Sequence, residues 1–204
     1  HILLNVGLQS EEEHPTQMNL TQTFFDAMNR NGQDTEIVDD IRSCKLSYKG
    51  LARMSVALGD YITKHIMENK EDGCVDAPIG VLLPNAGASI AVMLGISFFG
   101  KSFHPMNFSI GPNGISSICK TLRIKNVITA KGFIEKGKLE PLVEAMKALD
   151  INIIYAEDMK KELGLSSKIK AIIFTKFPQL LKGYKTSPDE IMTILATSGS
   201  EGDP

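Results

Sequence analysis

Polar and apolar positions fall in blocks along this chain, and the blocks alternate between a helical period and short continuous apolar runs. The first helical block follows Asn19, whose side chain can accept from the opening backbone N–H groups, and it carries Leu20, Phe24 and Met28 at helical spacing. The Asn31-Gly32 turn ends it, and residues 36–38 read as a short strand. Ser47 is placed to cap a longer helix with a stripe of Leu51, Met54, Leu58 and Ile62, and the polar stretch 68–76 is its expected exit loop.

Residues 79–83 form an apolar run between Gly and Pro positions, the pattern of a central strand buried on both faces, and Pro84 stops it. The segment 85–99 is apolar on nearly every side and predicts a buried helix, with Gly87, Gly95 and Gly100 allowing close approach. The pattern then repeats: a strand at 102–106, a loop holding Gly111, Pro112 and Gly114, a helix with Ile115, Ile118, Cys119 and Leu122 inward, and a strand at 126–129. One more helix, with Leu139, Leu142, Val143 and Met146 on its core face, leads to a strand at 151–155. Such alternation predicts an α/β fold with a mainly parallel sheet and helices on both faces. Residues 166–181 read as helix-like and broken at Pro178, with apolar residues that do not collect on a single face, which favours packing on the domain over a membrane surface. A final strand is expected at 191–196.

Composition adds little until its distribution is considered. The 204 residues are 43% hydrophobic and 23% charged, ordinary for a globular chain. Net charge is -2, yet residues 120–185 carry 14 Lys+Arg against 7 Asp+Glu, so a basic block sits within an otherwise acidic chain. It could steer an anionic partner, or it could be solvated helix faces. The longest apolar run is too short to span a bilayer and no secretory signal opens the chain, so a cytoplasmic or membrane-peripheral location is expected. Cys44, Cys74 and Cys119 lack Cys-x-x-Cys spacing and read as buried free thiols. His1, His14, His65 and His104 lack metal-ligand spacing; His104, beside Pro105 at a strand end, reads as a structural histidine. No Gly-x-Ser-x-Gly elbow and no His-x4-Asp acyltransferase pattern is present.

The residues that carry chemistry follow the last strand: Thr197, Ser198, Gly199, Ser200, Glu201, Gly202, Asp203 and Pro204. Glycines let a backbone turn tightly and bring N–H groups to an anion, and small hydroxyls add donors without crowding. The ending is neither a Walker loop nor a dinucleotide fingerprint, and on pattern alone a phosphate cradle and a polar turn weigh equally. The run Thr-Ser-Gly-Ser-x-Gly-x-Pro, however, resembles the phosphate loop of the adenylate-forming (AMP-binding) superfamily. Upstream, Leu46, Ser47, Tyr48 and Leu51, then Leu83, Pro84 and Asn85, then Pro105, Met106 and Asn107, match that family in the same order.

The resemblance implies that the chain is the N-terminal part of an AMP-binding domain, truncated at the phosphate loop 197–204. It implies further that Thr197, Ser198, Gly199, Ser200, Glu201 and Gly202 bind the β- and γ-phosphates of ATP with Mg²⁺, without a catalytic proton carrier among them. Glu201, with Asn107, Phe108, the 111–113 stretch and the basic segment ending in Phe177 and Pro178, is similar to a narrower group, the bacterial 2-acylglycerophosphoethanolamine acyltransferase/acyl-[acyl-carrier-protein] synthetases. That likeness implies a fatty-acid substrate, acyl carrier protein or CoA as thiol partner, lysophospholipid as an acceptor, and no nucleic acid. A long-chain fatty acid-CoA ligase and a non-catalytic Rossmann-like binding module are the alternatives. The family's later motifs are absent, so the chain alone is expected to be inactive and to bind ATP weakly.

Overall fold

The computed structural model describes residues 18–39, 45–66 and 77–196. Its centre is a four-stranded parallel sheet in the order β4-β3-β5-β6, built from β3 (Ile79–Leu82), β4 (Phe103–Pro105), β5 (Asn126–Thr129) and β6 (Asn152–Tyr155). A separate antiparallel pair joins β1 (Glu36–Asp39) to β2 (Lys45–Ser47). The sequence pattern missed β2, because a three-residue strand ending in a helix cap is too short to show a period.

Alternation along the strands divides the core. Ile79, Val81, Ile128 and Ile154 face one side, where Leu51, Leu58 and Ile62 of α2 (Tyr48–His65) meet Ala91, Val92 and Ile96 of α3 (Gly87–Phe98). Leu82 and Val127 face the other, covered by Ile115, Ile118 and Cys119 of α4 (Gly111–Thr121) and by Leu142, Val143 and Met146 of α6 (Glu140–Lys147). Helices therefore cover both faces, as the alternating pattern predicts. Where one helix was expected before β6 there are two, since α5 (Lys131–Gly137) ends at Lys138 in a left-handed conformation (φ 52°) and Leu139 restarts the chain as the N-cap of α6. A further short helix, α7 (Ala156–Glu162), follows β6 and was not anticipated.

A third layer lies outside α2 and α3. Phe25 and Met28 of α1 (Leu20–Asn31) pack with Ala52, Val56 and Phe98, and with Ala171 of α8 (Leu165–Lys176). The α1 stripe is rotated from the expected one: Thr21, Phe25 and Met28 are buried, while Leu20 and Phe24 are half-exposed. Helix α2, sandwiched between layers, buries nearly every residue from Ser55 to Ile62, polar ones included. Its crossing with α3 is close because Gly59 and Gly95 face one another, and a Cβ on Gly95 would lie 2.5 Å from the Ser55 carbonyl oxygen. The expected helix-like stretch 166–181 resolves into α8 and short 3-10 turns beginning at Pro178 and Lys182. Residues 68–76, assigned to the α2 exit loop, lie outside the described residues.

Candidate functional site

Open parallel sheets bind ligands outside the carboxyl ends of their strands, where successive crossovers leave on opposite faces. Here α3 leaves β3 on one face, while α4 after β4 and α5 and α6 after β5 lie on the other, so β3 diverges from both its neighbours and the crevice opens at its carboxyl end. Its walls come from the turns after those strands. On the β3 side, Pro84 stops the strand and its carbonyl accepts from the Ser89 hydroxyl of α3. On the β4 side, the Met106 N–H donates to the Val81 carbonyl at 3.0 Å. Asn107 then turns the chain, its Oδ1 accepting from the Ser109 N–H at 3.0 Å and the Ser109 hydroxyl at 2.8 Å. Phe108 is 49% exposed and stands edge-on to Phe133 at 5.7 Å.

The terminal segment reaches this crevice by a constrained route. After α8 the chain passes under α3 at Gly183, where any Cβ would collide with the Ser97 carbonyl. Asn19 Nδ2 donates to the Thr186 carbonyl at 2.8 Å and Gln22 Nε2 to the Tyr184 carbonyl at 2.9 Å, tying this passage to the start of α1. Residues 191–196 then lie beside β4. The expected strand is reduced to a single parallel bridge between Phe103 and Thr193, with two main-chain bonds, Phe103 N–H to Met192 carbonyl at 3.0 Å and Ile194 N–H to Phe103 carbonyl at 3.1 Å. The reason is exposure: Ile191 and Leu195 are 62% and 69% exposed, so the apolar pattern has nothing to pack against on these described residues.

His104 supplies the third tie. It is buried in β4, and with a carbonyl as acceptor its Nδ1 must carry the proton it donates to Ile194 at 2.7 Å. That accords with the structural role read from sequence. His104 Nε2 and Thr193 Oγ1 are buried without a hydrogen-bond partner among the described residues.

Because the bridge is parallel, the chain at 193–194 runs in the same direction as β4, toward its carboxyl end. Thr197, Ser198, Gly199, Ser200, Glu201 and Gly202 lie outside the described residues, so the described chain gives their point of departure. Asn107 and Ser109 occupy the turn after β4, and Asn85 lines the groove before α3 together with Asp39 of β1.

Another helix start at the same end of the sheet is already filled. At the N-terminus of α5, the Glu157 carboxylate accepts from the Lys131 N–H at 2.9 Å and the Gly132 N–H at 3.1 Å, while Lys131 Nζ donates to Asp158 at 3.0 Å. Burial pushes the Glu157 carboxyl up, but these backbone donors outweigh it and hold the group below its ordinary value. No local spacing announces this plug, since its partners are 25 and 26 residues apart. Of the clefts, a groove of about 420 Å³ lies at the carboxyl end, between β1 and the start of α3. A larger one of about 780 Å³ opens at the opposite end, lined by Asn19, Ser102, Lys182 and Thr186.

A family model described as AMP-binding enzyme matches residues 12–204, nearly the whole chain. The chain belongs to the AMP-binding enzyme family. Solved structures agree on the fold. VinN aligns with a TM-score of 0.65 at 16% identity, over 92% of this chain and 42% of that one. The N-terminal domain of FACL13 from Mycobacterium tuberculosis gives 0.63 at 14% identity, over 91% and 42%. A Mycobacterium tuberculosis fatty acyl CoA synthetase gives 0.60 at 13% identity, over 86% and 32%. The chain thus spans less than half the length of these neighbours. In this member of the AMP-binding enzyme family, the described residues end at 196, on the β4 edge of the sheet.

Proposed function

We propose that this AMP-binding chain forms part of an ATP-dependent ligase that joins a carboxylate to the α-phosphate of ATP with release of pyrophosphate, then passes the acyl group to a thiol. The supporting observation is that the described residues just before the Thr197–Gly202 run pair in parallel with β4 through Thr193, in a chain of this family. In this reading Thr197, Ser198, Gly199, Ser200 and Gly202 wrap the β- and γ-phosphates, and their contribution is positioning and charge stabilisation rather than proton transfer. Mg²⁺, when bound, neutralises phosphate charge. Glu201 adds a carboxylate beside that charge, which is tolerable where the metal or a lysine intervenes. If Glu201→Thr leaves the magnesium dependence and the ATP affinity of the whole gene product unchanged, Glu201 has no part in the metal site.

The acid is proposed to be a fatty acid, and the acceptor a phosphopantetheine thiol on acyl carrier protein or CoA, with lysophospholipid as a later acceptor. The support is the likeness of Glu201, Asn107, Phe108, residues 111–113 and the basic segment ending in Phe177 and Pro178 to the acyl-[acyl-carrier-protein] synthetase group. Fold similarity does not choose the acid: VinN is solved with 3-methylaspartate and with L-aspartate, whereas another neighbour is named a fatty acyl CoA synthetase. Fatty-acid-dependent exchange of pyrophosphate into ATP by the whole gene product tests the first step, and thioester formation with carrier protein against CoA tests the second. Exchange driven by an amino acid and not by a fatty acid would overturn the substrate assignment.

A further inference from the structure

Helix α8 is packed the wrong way round for an ordinary surface helix. Its inner face, Ser167, Lys170, Ala171, Phe174 and Thr175, is small or polar apart from Phe174, with Ala171 and Thr175 buried. Its outer face, at i, i+3, i+4, i+7, i+8 and i+11, reads Leu165, Lys168, Ile169, Ile172, Ile173 and Lys176, and all six are exposed. The apolar members are 75%, 50%, 49% and 44% exposed in that order, and Phe177 and Leu180 continue the surface at 44% and 51%. This corrects the expectation of packing on the domain for Ile169, Ile172, Ile173 and Phe177, whereas Phe174 and Leu181 do pack there. The inner face of the helix buries mainly small residues while its outer face exposes large ones.

The inner face is fastened by charge instead of by bulk. Lys170 donates to Asp60 of α2, which is 3% exposed, and its ammonium lies over the rings of Phe99 and Phe174 at 5.8 and 5.3 Å. Lys64 donates to the other Asp60 oxygen at 2.6 Å. A helix held so firmly can keep its apolar residues in water, and a contiguous apolar surface of this kind marks a contact site.

Charge identifies the contact. No Asp or Glu occurs anywhere in residues 163–188, while five lysines do, at 168, 170, 176, 182 and 185. Lys168 lies on one edge of the apolar stripe and Lys176 closes its C-terminal end, and their long stems can carry the charge to the headgroups of an anionic bilayer while the isoleucines lie against it. A second copy is a poor fit. Two α8 helices packed antiparallel about Ile172 would bring Lys168 of one copy against Lys176 of the other, with no carboxylate on either helix to relieve the repulsion.

We propose that the outer face of α8, extended by Phe177 and Leu180, is a docking surface for anionic phospholipid. No helix among the described residues is long and apolar enough to cross a membrane, so the contact is interfacial. The inference rests on this surface alone and not on the ligase reading, and its test needs no enzymatic activity.

Co-sedimentation of the chain with phosphatidylcholine vesicles, with and without phosphatidylglycerol, tests it. Binding is expected only with phosphatidylglycerol, weakening as salt rises, and about tenfold or more weaker for Lys168→Glu/Lys176→Glu. Ile169→Ser/Ile172→Ser should abolish it; both sites are half-exposed, and an unchanged circular dichroism melt would exclude unfolding. Absence of binding, equal binding to both vesicle types, or an unaffected double-serine variant would each overturn the proposal. So would a concentration-dependent dimer in sedimentation velocity that the same serine substitutions dissolve while vesicle binding is absent, because the surface would then belong to a second copy.

Discussion

The middle of the sheet and its β4 edge are built from similar apolar residues and hold them very differently. All four residues of β3 and of β5 are buried, each strand is paired on both sides, and the Thr129 hydroxyl adds a 2.8 Å bond to the Leu82 carbonyl. The terminal segment at the edge has one bridge, two main-chain bonds and the His104 contact, and it leaves Ile191 and Leu195 in solvent. Stability therefore resides in the centre, and the part proposed to bind nucleotide hangs from a cheaply opened margin. Ligand-binding segments are drawn from the low-stability end of a fold, since they must rearrange around what they bind.

Breaking the centre should have the largest effect. Gly95→Val drives a side chain into the Ser55 carbonyl at the α2–α3 crossing and should cost about 3 kcal/mol or more, read as a lower urea midpoint with an unchanged slope. Ile128→Ala, which empties a fully buried position in β5, belongs in the same range at about 3 kcal/mol.

At the edge, His104→Leu removes the donor to Ile194 and should cost about 1 to 2 kcal/mol. The more telling readout is local: hydrogen exchange at the Ile194 amide should accelerate while the β5 amides keep their protection. Equal acceleration in β5 would mean that the edge and the centre open together, and the contrast would fail.

A pH series sharpens the comparison between the layers. Burial pushes the Asp60 carboxyl up, and hydrogen bonds from Lys170 and Lys64 outweigh it, so the folded group sits below its ordinary 3.8. A carboxyl lowered by folding adds stability that is complete above its ordinary value and drains away as pH falls through its folded value. Asp60→Asn should lower stability at neutral pH and flatten the decline below about pH 4. Leu195→Ser, at an exposed edge position, should change stability by less than about 0.5 kcal/mol.

These differences also explain what the sequence could reveal. Strand β3 was legible because burial on both faces favours an apolar run, and helix α4 because one-sided burial writes a 3.6-residue period; in α2 the Leu51, Leu58 and Ile62 stripe shows that period although the helix is buried between two layers. Residues 191–196 carry the same apolar signature as β3, and only the missing third layer distinguishes them. The proposed phosphate-binding run was visible as a sequence pattern, but the attachment of the segment before it was not. Gly183 beneath Ser97, Asn19 on Thr186 and His104 on Ile194 each join positions 86 or more residues apart. Local spacing has no access to such pairs, nor to the Glu157 plug or the pairing of Lys170 with the buried Asp60 that fastens the inner face of α8.

Hydrogen exchange on the whole gene product, with and without magnesium ATP, bears most directly on the assignment of the nucleotide end. The account predicts new protection at residues 197–202 and in the Asn107–Ser109 turn, with β5 unchanged. Protection appearing instead around Asn19, Ser102 and Thr186, at the opposite end of the strands, would contradict it.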